Sequence, residues 1–310
     1  MRREDPLVRC GQWLLEKDLH TIGPSLVFII LPVFFIPLIG LCSSVVSIMV
    51  ALLTLSKGAK KGLILLAWLV LPLLAVLYLH RLSVEYTLFA NCVIIWLLAS
   101  LLRAYRSWRL LLDTSVVIGF LLICLFHYLQ PNLPQFWEGV WRAYFSSASS
   151  VSGMPISTED INRTVQFLAP ISTGLHFLNA LITIFISMMI ARYWQSLMYR
   201  PGAFQKELVQ IRGDKLLLIG WLVVLSLGLY FKLGFLVDST PLFLIPFAFV
   251  GLSVIHSYLL TKLKATQGVI ILVYFVCLLF LSLAIMLFTV VGLLDLFLNF
   301  RQRMISVIKK

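Results

Sequence analysis

The sequence predicts an all-α fold, a polytopic transmembrane helix bundle of about eight spans and up to ten. Three observations carry that expectation. Of 310 residues, 61% are hydrophobic and 12% charged, with mean hydropathy +1.00, whereas a soluble domain holds ~45–50% apolar and ~25% charged residues. The apolar residues gather in long runs, and ~20 of them suffice for a helix to cross a bilayer. The 25 Lys and Arg lie in short stretches between those runs, which is how membrane helices are oriented. The net charge of +12 is therefore read as topology signalling and contact with anionic lipid headgroups; no nucleic-acid surface is expected.

Residues 1–23 mix Arg2, Arg3, Glu4, Asp5, Glu16 and Asp18 with Val8, Trp13, Leu14 and Leu15. They read as a cytoplasmic amphipathic arm on the membrane surface. No signal-peptide pattern stands here, so the first apolar run is expected to be an uncleaved anchor. That run, Pro24–Leu55, is interrupted by Pro32, Pro37 and Gly40. Proline removes a helix bond, so it is either one kinked helix or a hairpin of two shorter segments. Past the break, Ser44, Ser47, Ala51 and Thr54 form a small-residue face suited to close packing.

The stretch 57–62, KGAKKG, reads as a loop, followed by apolar runs over Leu63–Leu79 and Val84–Leu102. Arg103, Arg106 and Arg109 alternate with Tyr105 and Trp108, an interfacial pattern. Leu110–Leu129 spans again. Residues 131–166 hold only Arg142 and Arg163 as basic residues and read as an outer loop. Within it Phe136, Val140 and Tyr144 recur at helical spacing in an interfacial helix, and SSASSVSG after it is a lid or a linker.

The next helix, from Ile171, carries Thr173, His176, Asn179, Thr183 and Ser187 at steps of three or four. At about 100° per residue they share an arc of roughly 120°. Polar groups are costly against lipid, so the arc faces protein, either bonding neighbouring helices or walling a polar pocket. His256 has the same two readings, as packing or as an opposite wall. A basic cytoplasmic loop, 192–215, follows. Pro201-Gly202 marks a turn, and Ala203–Arg212 then reads as an amphipathic helix with Phe204, Leu208 and Ile211 on one face. Arg192 anchors at the headgroups or pairs with Asp295. The last runs are Lys215–Phe231, Pro241–Leu260 and Gly268–Phe300. The final run is too long for one span and is expected to turn back over its last ~10 residues. Its end places Asp295, Asn299 and Arg303 at i, i+4, i+8, ahead of a basic tail, 301–310. Residues 24–300 thus form one transmembrane domain between arm and tail.

Orientation follows from the basic residues. From residue 57 onward successive connections carry three, one, three, two, five, one and two Lys or Arg. High and low alternate, and arm and tail carry four each. Both termini are therefore expected in the cytoplasm.

Residues 191–212, ARYWQSLMYRPGAFQKELVQIR, resemble a run in the YybS-like family of bacterial membrane proteins. Arg192, Trp194, Gln195, Pro201, Gly202, Phe204 and Arg212 carry the likeness. Tyr193 stands where Trp is usual, and Arg200 where Asn is usual. VIHSYLLTK with His256, the ending GLLDLFLNFRQRM with Asp295 and Arg303, and LTLSKGAKKGL also look like the family's. The resemblance implies a bacterial inner-membrane location. It also implies a fold similar to the substrate-binding membrane subunits of energy-coupling-factor transporters, whose first helix is likewise interrupted. It brings no settled activity.

No nucleotide-binding, nucleophile-elbow or zincin motif occurs. The five histidines have no ligand pairing at helical spacing, and the five cysteines form no C-x-x-C. No enzyme, cofactor or metal is expected. The leading expectation is a protein that binds or transports a small or amphiphilic molecule, with Thr173, His176, Asn179, Thr183 and His256 as its contacts. The second is a scaffold or assembly factor whose 192–215 loop docks a cytoplasmic or membrane partner. The third is an enzyme of lipid-linked substrates.

Overall fold

A computed structural model describes residues 5–80, 84–152, 157–263 and 265–300. The tail 301–310, with Arg303, lies outside the described residues. Helices dominate, and no strand occurs among the described residues. Among the described residues five runs are long and apolar enough to cross a membrane: Ile39–Lys57, Trp108–Leu129, Thr158–Tyr199, Gly234–Thr261 and Leu281–Leu298. Asp18–Pro32, Phe89–Tyr105, Lys215–Tyr230 and Gly268–Leu279 are shorter apolar helices.

The chain divides into two compact units. The first comprises residues 1–111 and 180–210. It begins with α1 (Pro6–Glu16), which the side chain of Asp5 caps by accepting from the Leu7 amide. Val8, Leu14 and Leu15 are buried and Trp13 is exposed, so the arm is amphipathic as its pattern predicts. Helix α2 (Asp18–Phe34) packs on α3 (Ile39–Lys57) and α4 (Ala59–His80), and α3 packs on α5 (Val84–Tyr105). Of the two outcomes open for the first apolar run, the structure holds two helices. Phe35 leaves the helical region and a single 3-10 turn, Ile36–Leu38, joins them. Proline at 32 and 37 denies the backbone its bonds there. Ser47, Ala51 and Thr54 of the small-residue face are buried, with Cys42, Val46 and Val50 fully so.

The stretch 57–62 is not a loop. Lys57 ends α3, Gly58 alone turns the chain at φ +103, and Lys60 and Lys61 lie in the first turn of α4. Only glycine takes that backbone conformation cheaply. Cations are unfavourable at a helix N-terminus, and Asp18 answers them, meeting Lys57 at 3.0 Å and also Lys61. Those two ammonium groups hold the Asp18 carboxyl below the usual 3.8.

The second unit comprises residues 112–179 and 211–310. It takes most of α6 (Trp108–Leu129), then α7 (Leu133–Ser152), α8 (Thr158–Leu168) and the start of α9 (Ser172–Tyr199). As far as Ser152, the serine-rich stretch expected as lid or linker is the end of α7. Ser146, Ser147 and Ser149 return their hydroxyls to the carbonyls of Ala143 and Phe145, which lets serine sit inside a helix. Helices α11 (Lys215–Tyr230), α12 (Gly234–Ser239), α13 (Leu244–Thr261), α14 (Gln267–Leu279) and α15 (Leu281–Leu298) complete it.

Helices α13 and α15 form the closest pairing. A Cβ on Gly251 would lie 1.8 Å from the Phe288 carbonyl oxygen, and one on Gly292 would lie 1.9 Å from that of Phe247. The two backbones touch only because both positions lack side chains. The last apolar run therefore breaks at Phe280, not over its final ten residues. Pairing with α13 requires an unbroken α15, and Asn299 ends it in the left-handed conformation at φ 47. Phe243, Phe247 and Leu296 form a core with Val116, and Trp221 packs against it.

All five cysteines are free; Cys42 and Cys92 are buried, Cys124 and Cys277 partly so, and Cys10 is exposed.

Candidate functional site

Helix α9 continues through Tyr199, so Arg192, Trp194 and Gln195 stand on its last turns. A turn at Pro201-Gly202, with Gly202 at φ +83, then leads into α10 (Ala203–Val209). Helix α10 is shorter than the expected Ala203–Arg212. Gly213 resists the helix and Asp214 caps the next one, accepting from the Leu216 amide at 3.0 Å. The apolar face is nonetheless as expected, since Phe204, Leu208 and Ile211 are all buried.

Within the first unit these elements meet the ends of α3 and α5 around a cleft of about 440 Å³. Arg103, Arg106, Arg192 and Arg200 line it, with Gln195 and Tyr199. Among the described residues Glu207 is the one acidic residue on its wall. It accepts from Arg192 twice, Nε to Oε2 at 3.0 Å and Nη2 to Oε1 at 2.5 Å, and from the Trp108 indole at 3.3 Å. The third Arg192 nitrogen donates to Gln195 Oε1. Gln195 in turn donates to the Leu55 carbonyl at 2.9 Å, and Arg103 donates to the same oxygen. A carbonyl at the last turn of α3 would otherwise be an orphan acceptor. Arg192 thus pairs with Glu207; Asp295, the alternative partner in the sequence, is buried in α15.

Arg106 and Arg200 differ from the other two. Both are exposed on the cleft, as Arg103 also is, but no hydrogen bond or ion pair holds the side chain of either among the described residues. Arg106 closes α5 at φ 52, a left-handed backbone that costs a non-glycine residue roughly 1–2 kcal/mol. The chain keeps a long cation where glycine would sit more easily. Formally the wall carries four positive charges against one negative.

The other anticipated contacts lie elsewhere. Thr173 is buried and accepts from the Trp137 indole at 3.0 Å, while Ser172 accepts from Trp141 at 2.7 Å. His176 is exposed, its ring 6.1 Å from Trp137. Asn179 is exposed, Thr183 half-buried and Ser187 buried. The arc thus begins as a seam that two tryptophans of α7 fasten. His256 is buried in α13 and shares a 2.6 Å hydrogen bond with the Tyr274 phenol; its ring partner is Tyr274, and that of His176 is Trp137. Trp194 donates to the Leu7 carbonyl at 2.8 Å and anchors α1. Pro201, Gly202 and Arg212 are exposed.

A second polar cluster in the second unit escaped the sequence reading. Asp238 of α12 is 1% exposed. One carboxylate oxygen accepts from the Gly174 amide at 2.7 Å, in the first turn of α9, and the other meets His127 Nε2 at 2.9 Å. A Cβ at position 174 would lie 1.7 Å from the Asp238 carbonyl oxygen. The available signal was a lone carboxylate in LVDSTP, just ahead of a proline in an apolar region. Among the described residues no group of three His, Cys, Asp or Glu is placed to hold a metal ion.

Compared with protein families, curated proteins and solved structures, the chain finds no match.

Proposed function

We propose that this chain is a YybS-like, multi-pass protein of the bacterial inner membrane that binds or transports a small or amphiphilic molecule carrying negative charge. It has eight to ten spans and both termini in the cytoplasm. Recognition takes place in the arginine cleft, ahead of the polar arc on α9. One observation carries this reading: a cleft of about 440 Å³ lined by four guanidinium groups and one carboxylate. That volume lies within the ~300–1,000 Å³ of small-molecule pockets. Positive-inside topology accounts for basic residues near the cytoplasmic face; it does not account for their convergence on one concavity. The reading assigns no reaction, metal or cofactor.

Docking of a cytoplasmic partner is the second reading. The exposure of Arg200, Pro201, Gly202, Lys206 and Arg212 favours it.

Native mass spectrometry of the purified chain separates them. An anionic small molecule is expected to remain on the wild type and to be lost from Arg200→Gln. Retention in Arg200→Gln with loss in His176→Leu would move the site to the polar arc. A wild-type chain that carries no small molecule but captures a soluble protein through residues 192–215 would favour docking.

A further inference from the structure

Resting on the binding reading, we infer that the cleft takes a phosphate monoester, borne by a lipid headgroup or by a soluble ester, and that Glu207 is the internal anion it displaces from Arg192.

The donor inventory selects the ligand. Arg192 is already satisfied by a carboxylate, both forks of it engaged by Glu207. A second carboxylate would bring one charge and two oxygens to a wall that still offers three other guanidiniums. Arg103 has spent one nitrogen on the Leu55 carbonyl. Arg106 and Arg200 have spent none among the described residues. A phosphate monoester brings about −1.5 to −2 charges and three strong acceptor oxygens, which matches what is unspent. Among the described residues the cations on the wall are all arginine and none is lysine. The planar guanidinium fork fits phosphate bidentately, whereas an ammonium acts as a point charge. Topology signalling is served equally by lysine, so it does not explain that choice.

The backbone adds a second, independent indication. Arg106 holds its left-handed conformation on the wall of the cleft. Strain of this kind persists where surrounding structure enforces it, and it clusters at binding sites. Glu207 stands on the short helix α10, directly after the Pro201-Gly202 turn, and occupies the one guanidinium that the incoming phosphate lacks. Displacing it exchanges one charge-assisted pair for another, so the carboxylate acts as a built-in competitor.

The test uses the full chain in nanodiscs of phosphatidylcholine. One arm adds phosphatidic acid, a monoester headgroup, or phosphatidylglycerol, a singly charged diester. The other titrates glycerol 3-phosphate into the neutral discs. Thermal stability and tryptophan fluorescence are read in each. A monoester is expected to raise Tm saturably where the diester does not. A response in the lipid arm alone identifies a headgroup, and one in the soluble arm a soluble ester. Arg106→Gly and Arg200→Gln are each expected to weaken binding at least tenfold. The unliganded Tm of Arg106→Gly is expected to stay level or rise, because glycine accepts φ 52; lost binding there is not lost folding. Glu207→Gln is expected to tighten binding several-fold. Equal shifts from monoester and diester that survive both arginine variants, or no shift in either arm, overturn the inference. Weaker binding in Glu207→Gln overturns the displacement. A co-purifying molecule that lacks phosphorus, held by the wild type and lost from Arg200→Gln, overturns the phosphate assignment and leaves the binding reading standing.

Discussion

Asp238 shows how much one side chain holds. It is 1% exposed, yet it joins three elements of the second unit through two oxygens. One oxygen serves an amide in the first turn of α9, where helix N–H groups lack internal partners. The other meets an imidazole. Leaving a buried donor without its acceptor typically costs about 1–3 kcal/mol. Asp238→Ala is therefore expected to lower detergent-phase thermal stability by several degrees at least, and His127→Ala by less, since Asp238 keeps its amide. A Tm of Asp238→Ala equal to that of the wild type would show that the cluster holds nothing together. Neither residue drew notice from spacing alone, because His127 and Asp238 are 111 residues apart and only the fold joins them.

Among the elements, local signals marked some boundaries and missed others. Pro32, Pro37 and Gly40 announced the break between α2 and α3, and it falls among them. The pattern of Phe204 and Leu208 announced the buried face of α10. The break at Phe280 has no proline or glycine beside it. It is set by the pairing of α15 with α13, a tertiary demand that no window of sequence displays. The serine run in α7 was misread because serine composition resembles a linker, while its hydroxyls can equally bond back along a helix. The cleft was half legible. Arg192 and Gln195 were marked by the basic run, but Arg103 and Arg106 read as an interfacial belt until α5 was placed beside the end of α9 in the first unit. The glycine contact gives a sharp expectation at this scale. Gly251→Val would set a side chain on the Phe288 carbonyl, so α13 and α15 must separate. Overpacking of a tight contact costs ~1–3 kcal/mol or more, and a double-cysteine crosslink between the two helices should form more slowly in the variant. Unaltered crosslinking would show that the close approach is dispensable.

For the whole molecule, composition was the most reliable guide. Apolar fraction and run length announced helices of membrane-crossing length, and five such runs are present among the described residues. Composition also explains the many large apolar side chains that stay exposed, such as Leu216, Ile219 and Leu222 of α11 and Ile271, Leu272 and Phe275 of α14. Contiguous apolar surface on that scale requires a covering, and acyl chains supply one. The alternating Lys and Arg counts make a further commitment. Reporter fusions at residue 310 and in segment 131–166 are expected to be active on opposite sides, with the C-terminal fusion active in the cytoplasm. Activity of the C-terminal fusion only in the periplasm would overturn the paired-terminus topology.

The thiols described earlier make the unmodified chain its own probe. Cys42 and Cys92 are fully buried, and Cys124 and Cys277 lie partly covered in apolar helices. Cys10 alone is exposed, on the arm helix α1. A membrane-impermeant maleimide should consequently modify a single position, stoichiometrically, in native vesicles of one orientation and not in those of the other. A fluorophore placed there would sit on the helix that Trp194 anchors at Leu7, close to the last turns of α9, and its emission would follow events at the end of that helix without a single engineered residue.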